Sequence, residues 1–175
     1  MNLTENTPPP IVILLATNTP APTFTPFPTL PPTPKGGGSG QISFVSNQGG
    51  DEDIYVMDVN GSNVERLFDD AANNSHYAWS PDGLKLVYIS HEDGNNELYL
   101  KDLTTDSSSS PLTQTLPPTR NHFPAWSPDG TQIAFLSDRV NSNFEIYVLR
   151  VDSDESPRRL TENMAFGSKI SWSPD

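Results

Sequence analysis

The chain has 175 residues, a formal net charge of −12 and no cysteine. These bounds exclude disulfides, thiol catalysis and cysteine-ligated metals, and so acidic a surface repels nucleic acid and anionic lipid while permitting a basic partner or a cation. With 34% hydrophobic and 18% charged residues, the composition is thin for a helical bundle and suits short half-buried strands joined by polar turns.

Residues 1–34 contain ten prolines and eight threonines. Proline fixes φ and removes a backbone donor, so neither a helix nor a sheet interior is expected there. The segment reads as a disordered, partly polyproline-like tether, and Lys35–Gly40 (KGGGSG) as a flexible joint, giving a first region over 1–40. The longest apolar run, Ile11 to Ala16, has six residues, whereas a spanning helix needs about 20. No basic region precedes it, so no export signal is visible and no direct membrane insertion is expected. Pro/Thr-rich tethers of this kind hold domains away from a membrane or wall, which gives the expectation of an extracytoplasmic protein, periplasmic, cell-surface or secreted.

From residue 41 the texture changes to short alternating segments. Trp79-Ser80-Pro81-Asp82-Gly83 recurs as Trp126-Ser127-Pro128-Asp129-Gly130 and again as Trp172-Ser173-Pro174-Asp175, with the tryptophans 47 and 46 residues apart. That spacing accommodates one four-stranded blade. After each full turn comes an alternating strand, Leu86–Ser90 or Ile133–Ser137, and Ile42–Ser46 matches both. A further strand follows at Asp53–Asp58, Glu97–Asp102 and Glu145–Arg150, with tyrosine as its third residue each time. A short outer strand is marked by Arg66-Leu67, Pro111-Leu112-Thr113 and Arg159-Leu160-Thr161. Period-2 alternation of aromatic and β-branched residues is a strand signal, and no stretch has helical spacing. The turn chemistry is explicit: proline presets φ, aspartate accepts backbone N–H bonds, and glycine tolerates positive φ. Each tryptophan is expected between blades with its N–H partnered. Asn60-Gly61 signals a hairpin.

The pattern AWSPDG…IAFLS…EIYVLRVD…RRLT resembles the TolB-type, WD-like β-propeller repeat over residues 41–175. The resemblance implies an all-β fold of four-stranded antiparallel blades, with the strand entering WSPDG innermost. About three blades' worth of strands is then present, an incomplete ring: a partial blade at 41–74, blades at 75–121 and 122–168, and the start of the next at 169–175. The register is that of a fragment of a longer propeller of about six blades. The alternative is two chains that exchange their last inner strands. Open blade edges predict self-association.

Candidate site residues are few. There are three histidines, His76, His91 and His122; His76 and His122 lie near inner strands, three and four residues before their tryptophans and so at non-equivalent positions, with no acidic partner at ligand spacing. Ordinary structural roles are expected for them. Asp51-Glu52-Asp53 offers oxygen ligands for calcium, but a solvated loop explains it better because nothing matches an EF-hand. Asp82, Asp129 and Asp175 repeat in every turn, which argues for a structural role. No nucleophile elbow, HExxH helix, phosphate loop or dinucleotide fingerprint occurs, so no catalytic, cofactor or metal site is expected. The reading is a non-catalytic protein- or ligand-binding propeller with a protein partner. The alternatives are the gating propeller of a prolyl-oligopeptidase-like serine peptidase and the sensor ectodomain of a membrane receptor or kinase.

Overall fold

A computed structural model describes residues 40–68, 72–92, 94–105, 108–140, 142–162 and 169–174. The tether expected over 1–40 lies outside the described residues except for Gly40. The described chain is all-β. Its first sheet holds β1 (Gln41–Ser46), β2 (Asp53–Asp58) and β3 (Glu65–Arg66). The second holds β4 (Asn74–Trp79), β5 (Lys85–Ser90), β6 (Glu97–Asp102) and β7 (Ser110–Pro111), and the third holds β8 (Asn121–Trp126), β9 (Gln132–Ser137), β10 (Glu145–Arg150) and β11 (Arg158–Arg159). Every pairing within a sheet is antiparallel and joins chain neighbours. These are propeller blades, three in an open ring, with β4 and β8 innermost and in contact.

Alternation along each strand sends side chains to both faces of a blade. Leu86, Tyr88 and Tyr99 of the second blade pack with Ile54, Val56, Leu67 and Phe68 of the first. Val87, Ile89 and Leu98 turn the other way and pack with Trp126, Ile133, Phe135, Tyr147 and Leu149 of the third. The middle blade is therefore a layer between two cores.

The turns after β4 and β8 are superimposable in their bonding. Ser80 Oγ donates to Asp82 Oδ1 at 2.6 Å, and that oxygen accepts Leu84 N–H at 3.0 Å. Ser127, Asp129 and Thr131 repeat the arrangement at 2.6 and 3.0 Å. Gly83 and Gly130 have φ of 72° and 71°, a left-handed conformation that glycine adopts without steric cost. Those bonds hold the Asp82 and Asp129 carboxyls below the usual range, the serine hydroxyl contributing most.

Each indole reaches back one blade. Trp126 Nε1–H donates to the Ala78 carbonyl and Trp172 Nε1–H to the Ala125 carbonyl, both at 3.0 Å. Those alanines immediately precede the previous blade's tryptophan. Trp79 has no inner strand ahead of it among the described residues, and its Nε1–H donates to Ser43 Oγ on β1 at 2.9 Å.

Three features depart from the sequence reading. The outer strands are two-residue pairings that begin one residue earlier than the markers in each blade. The inner strand expected at 169–173 forms no ladder among the described residues. Asp53, placed in a solvated loop by its sequence neighbours, is fully buried.

Candidate functional site: the channel mouth

The inner strands β4 and β8 each carry one extra residue opposite their partner, between Ser75 and Ala78 and between His122 and Ala125. The extra residue takes positive φ, 42° at His76 and 51° at Phe123. Neither is glycine, so each conformation costs about 1–3 kcal/mol. Bulges of this kind re-aim a side chain, and here both line one cavity. Both residues stand three before their tryptophan, so His76 and Phe123 are the equivalent pair. Lys169 holds the same place before Trp172.

These three consecutive positions line a cavity of about 540 Å³, together with Val45, Glu52, Ser75, Tyr77, Pro124 and Ile170. The His76 ring meets the Phe123 ring edge-on, centroids 4.5 Å apart, and lies 5.3 Å from the His122 ring. His122 also packs against Phe123 and Phe144, and its Nδ1 is buried without a hydrogen-bond partner among the described residues. Burial pushes both imidazoles below their usual pKa. Glu52 opposes this at His76, whereas His76 and Arg120 add to it at His122. Both rings are therefore neutral at pH 7, with an aromatic wall, one cation at Lys169 and one carboxylate at Glu52 around them. His91 stands apart, its Nδ1 2.7 Å from Asn96 Oδ1.

Three buried acids stand at the same place in the three blades, and two of them bond across to the next blade. Asp53, Glu97 and Glu145 begin the third strand of each blade and are 0%, 3% and 0% exposed. Asp53 ion-pairs with Arg66 and accepts Asn74 Nδ2–H at 3.0 Å. Glu145 ion-pairs with Arg159 at 3.1 Å and accepts the Thr161 hydroxyl. The register explains why the middle blade differs. Arg66 and Arg159 stand opposite Tyr55 and Tyr147, and Pro111 stands opposite Tyr99. Without that arginine, Glu97 takes donors from Asn95, Thr113 and Thr115, and from Asn121 Nδ2 of the next blade at 3.1 Å. Asn121 Oδ1 in turn accepts from Arg139 at 3.1 Å. Asn74 and Asn121 both stand five residues before a tryptophan, so the acid-to-asparagine clasp repeats between blades.

A second cavity of about 440 Å³ lies at the rim beside the Arg120–Asp138 ion pair, whose nitrogen and oxygen are 2.8 Å apart. Among the described residues no cluster of three or more histidine, aspartate or glutamate side chains is arranged to hold a metal, and no helix is long and apolar enough to cross a membrane.

The repeated residues Trp79 to Gly83, Trp126 to Gly130 and Trp172 to Pro174 do not line the cavity; they form the turns after β4 and β8 and the indole bonds between blades. Asp175 lies outside the described residues. Phe123 and Lys169 were not among the candidate residues of the sequence, although each stands three residues before a tryptophan as His76 does.

Repeated four-stranded blades, bulged inner strands facing a common cavity and tryptophans bridging neighbours define a β-propeller domain. The family model described as the TolB β-propeller domain matches residues 41–175, and the chain belongs to that family. The Tol-Pal system protein TolB of Desulfosudis oleivorans is 36% identical over 64 residues, covering 37% of this chain and 15% of that protein. The TolB homologue of Chlorobaculum tepidum is 33% identical over 70 residues, covering 40% and 16%. Among solved structures, TolB from Acinetobacter baumannii superposes with a TM-score of 0.61 at 26% identity, covering 77% of this chain and 32% of that one. Putative TolB from Agrobacterium tumefaciens gives 0.60 at 26%, covering 70% and 43%. An oligogalacturonate lyase in complex with manganese shares the fold at 16% identity and a TM-score of 0.54. The matched stretch thus spans less than half of each of these proteins.

Proposed function

We propose that the chain is a non-catalytic binding module of the cell envelope, working outside the cytoplasm, which captures a segment of a protein partner at the channel mouth. The observation that carries this is the cavity lined by His76, Phe123 and Lys169. Three successive blades each spend a strained or exposed inner-strand position on it, and an aromatic wall with one cation and one carboxylate suits a peptide with both apolar and charged groups. Membership of the TolB propeller family supports the reading, since relatives carry the name of Tol-Pal system proteins, and it points to an envelope-assembly role. Residues 1–40 serve as the tether and 41–175 as the binding part. The repeated Trp-Ser-Pro-Asp-Gly residues hold the blades and do not touch the partner.

The test is crosslink capture from the envelope of the producing organism, comparing wild type with Phe123→Asp and with the rim control Leu116→Asp. A partner lost about tenfold on Phe123→Asp, and retained by the control, supports the reading. A partner retained equally by both variants overturns it.

A further inference from the structure

We propose that the rim cavity between Arg120 and Arg139 is a carboxylate-binding site, separate from the channel mouth. Its wall is formed by Pro118, Thr119, Arg120, Asp138, Arg139 and Ser142, none of which lines the other cavity. The two arginines differ in how their charge is met. Arg120 holds Asp138 by its Nε–H at 2.8 Å and by its backbone N–H at 2.6 Å, so Asp138 is already paired. Arg139 has no carboxylate within ion-pair distance among the described residues. Its Nε–H donates to the Ser137 hydroxyl at 2.9 Å and its Nη2–H to Asn121 Oδ1 at 3.1 Å, both neutral acceptors. The guanidinium lies over the Tyr147 and Phe135 rings, 4.6 and 5.2 Å from their centroids. Burial pushes its pKa down, opposed by Tyr147 and Glu97, and Glu97 connects to it through the Asn121 amide. A partly buried cation held by neutral acceptors alone is costly, and an anion in the adjoining cavity offsets that cost.

The blade frame does not require these side chains. Arg120, Asp138 and Arg139 occupy the places of Asn73, His91 and Glu92 in the second blade. The same backbone bond closes both corners: His91 N–H donates to the Asn73 carbonyl at 3.1 Å, and Asp138 N–H to the Arg120 carbonyl at 3.2 Å. The first blade has Gln48 at the place of Arg139. The corner is therefore shared, and the cation at this place is particular to the third blade. Two arginines and one aspartate give the cavity wall a net charge of +1, in a protein of −12. One carboxylate brings the site to neutrality, whereas a doubly charged phosphate leaves excess negative charge beside Asp138. A planar guanidinium offers paired N–H groups that match the two oxygens of a carboxylate, and Thr119 and Ser142 add hydroxyls to the same wall. The volume of about 440 Å³ lies toward the small end of ligand sites and suits an acidic side chain or a small organic acid.

The probes are N-acetylglutamate methylamide, its uncharged glutamine counterpart and inorganic phosphate. Each is titrated into the full nitrogen-labelled chain at neutral pH, with nuclear magnetic resonance read at the Arg139 Nε–H and the Ser142 amide. The glutamate probe is expected to shift both saturably, and the glutamine probe to bind at least about tenfold more weakly. Arg139→Gln is expected to weaken glutamate binding at least about tenfold, read at the Ser142 amide. Arg150→Gln removes the same charge from an exposed position at the opposite end of β10 and is expected to leave binding within about twofold, since distant surface charge is screened. An acetylated and amidated tripeptide with glutamate at its centre separates two sources of the carboxylate. Binding at least about tenfold tighter than the single residue assigns the site to a peptide segment, and equal binding assigns it to a free organic acid; either outcome supports a carboxylate site. The glutamate and glutamine probes on the wild type decide the question even where Arg139→Gln unfolds. Absence of saturation by glutamate overturns the proposal, as does equal binding of glutamate and glutamine or phosphate binding as tight as glutamate. Equal losses on Arg139→Gln and Arg150→Gln also overturn it, because they would reduce the effect to overall charge.

Discussion

The first and second blades are written in the same repeat, yet they are differently built. Five of six residues of β5 are buried and none of β1 is. The sequences KLVYIS and QISFVS alternate alike, so the difference is one of neighbours. β5 has β4 on one side, β6 on the other and a blade against each face, whereas β1 has β2 and one covered face. A repeat of this kind becomes core only where both flanking units are present, as expected for quasi-one-dimensional architectures. The same contrast governs polar chemistry. In the outer blades a buried acid is neutralised by an arginine of its own outer strand, and in the middle blade, where Pro111 occupies that place, the acid is held by uncharged donors alone, from Asn95, Thr113 and Thr115 of its own blade and Asn121 of the next.

The largest effect is expected in the doubly covered layer. Leu98→Ala should cost about 3 kcal/mol of unfolding free energy by the usual transfer and cavity terms, and Ile42→Ala on β1 less than about 0.5 kcal/mol. Denaturant midpoints check this, and equal losses would erase the distinction between the blades. Next in size, Glu97→Ala strips the acceptor from four side chains and should cost about 2–3 kcal/mol. Glu97→Gln should recover part of that loss. Trp126→Phe removes the indole bond to Ala78 and should lose about 1–2 kcal/mol. Trp79→Phe should lose less, because its N–H ends on a hydroxyl at the open blade where water can substitute.

The smallest effect is on pH dependence. Burial holds His76 and His122 below the usual imidazole pKa of 6.5 in the folded state, so below that pH the unfolded chain binds more protons than the folded one. Their contribution is present above pH 6.5 and is lost as pH falls through the folded values. Thermal midpoints of His122→Phe between pH 7 and 5 should fall less steeply than those of wild type. An identical slope would show that these rings do not titrate as described.

Much of this fold was legible in the sequence, because Trp-Ser-Pro-Asp-Gly combines a turn with an anchor and recurs in register. The alternation at 86–90 and 133–137 located the second strands, and three tyrosines located the third. What stayed hidden has physical reasons. Asp53 follows two other acids and looks like solvated charge; its burial depends on Arg66 and Asn74, both distant in sequence. The bulges carry no glycine to announce them, so the alternation of β4 and β8 gives no hint that His76 and Phe123 are turned toward the channel. Lys169 belongs to the same set although its segment makes no ladder. The site was thus the least legible part, since it depends on backbone irregularity rather than on pattern.

Amide hydrogen exchange by strand, in dilute solution, tests the account most directly. β5 and β6 should be the slowest segments, exchanging with the free energy of global unfolding, and β1 should exchange at least about tenfold faster through opening of its one-sided ladder. Protection of β1 equal to that of β5 under those conditions would contradict the claim that the middle blade is the covered layer and the first blade the open one.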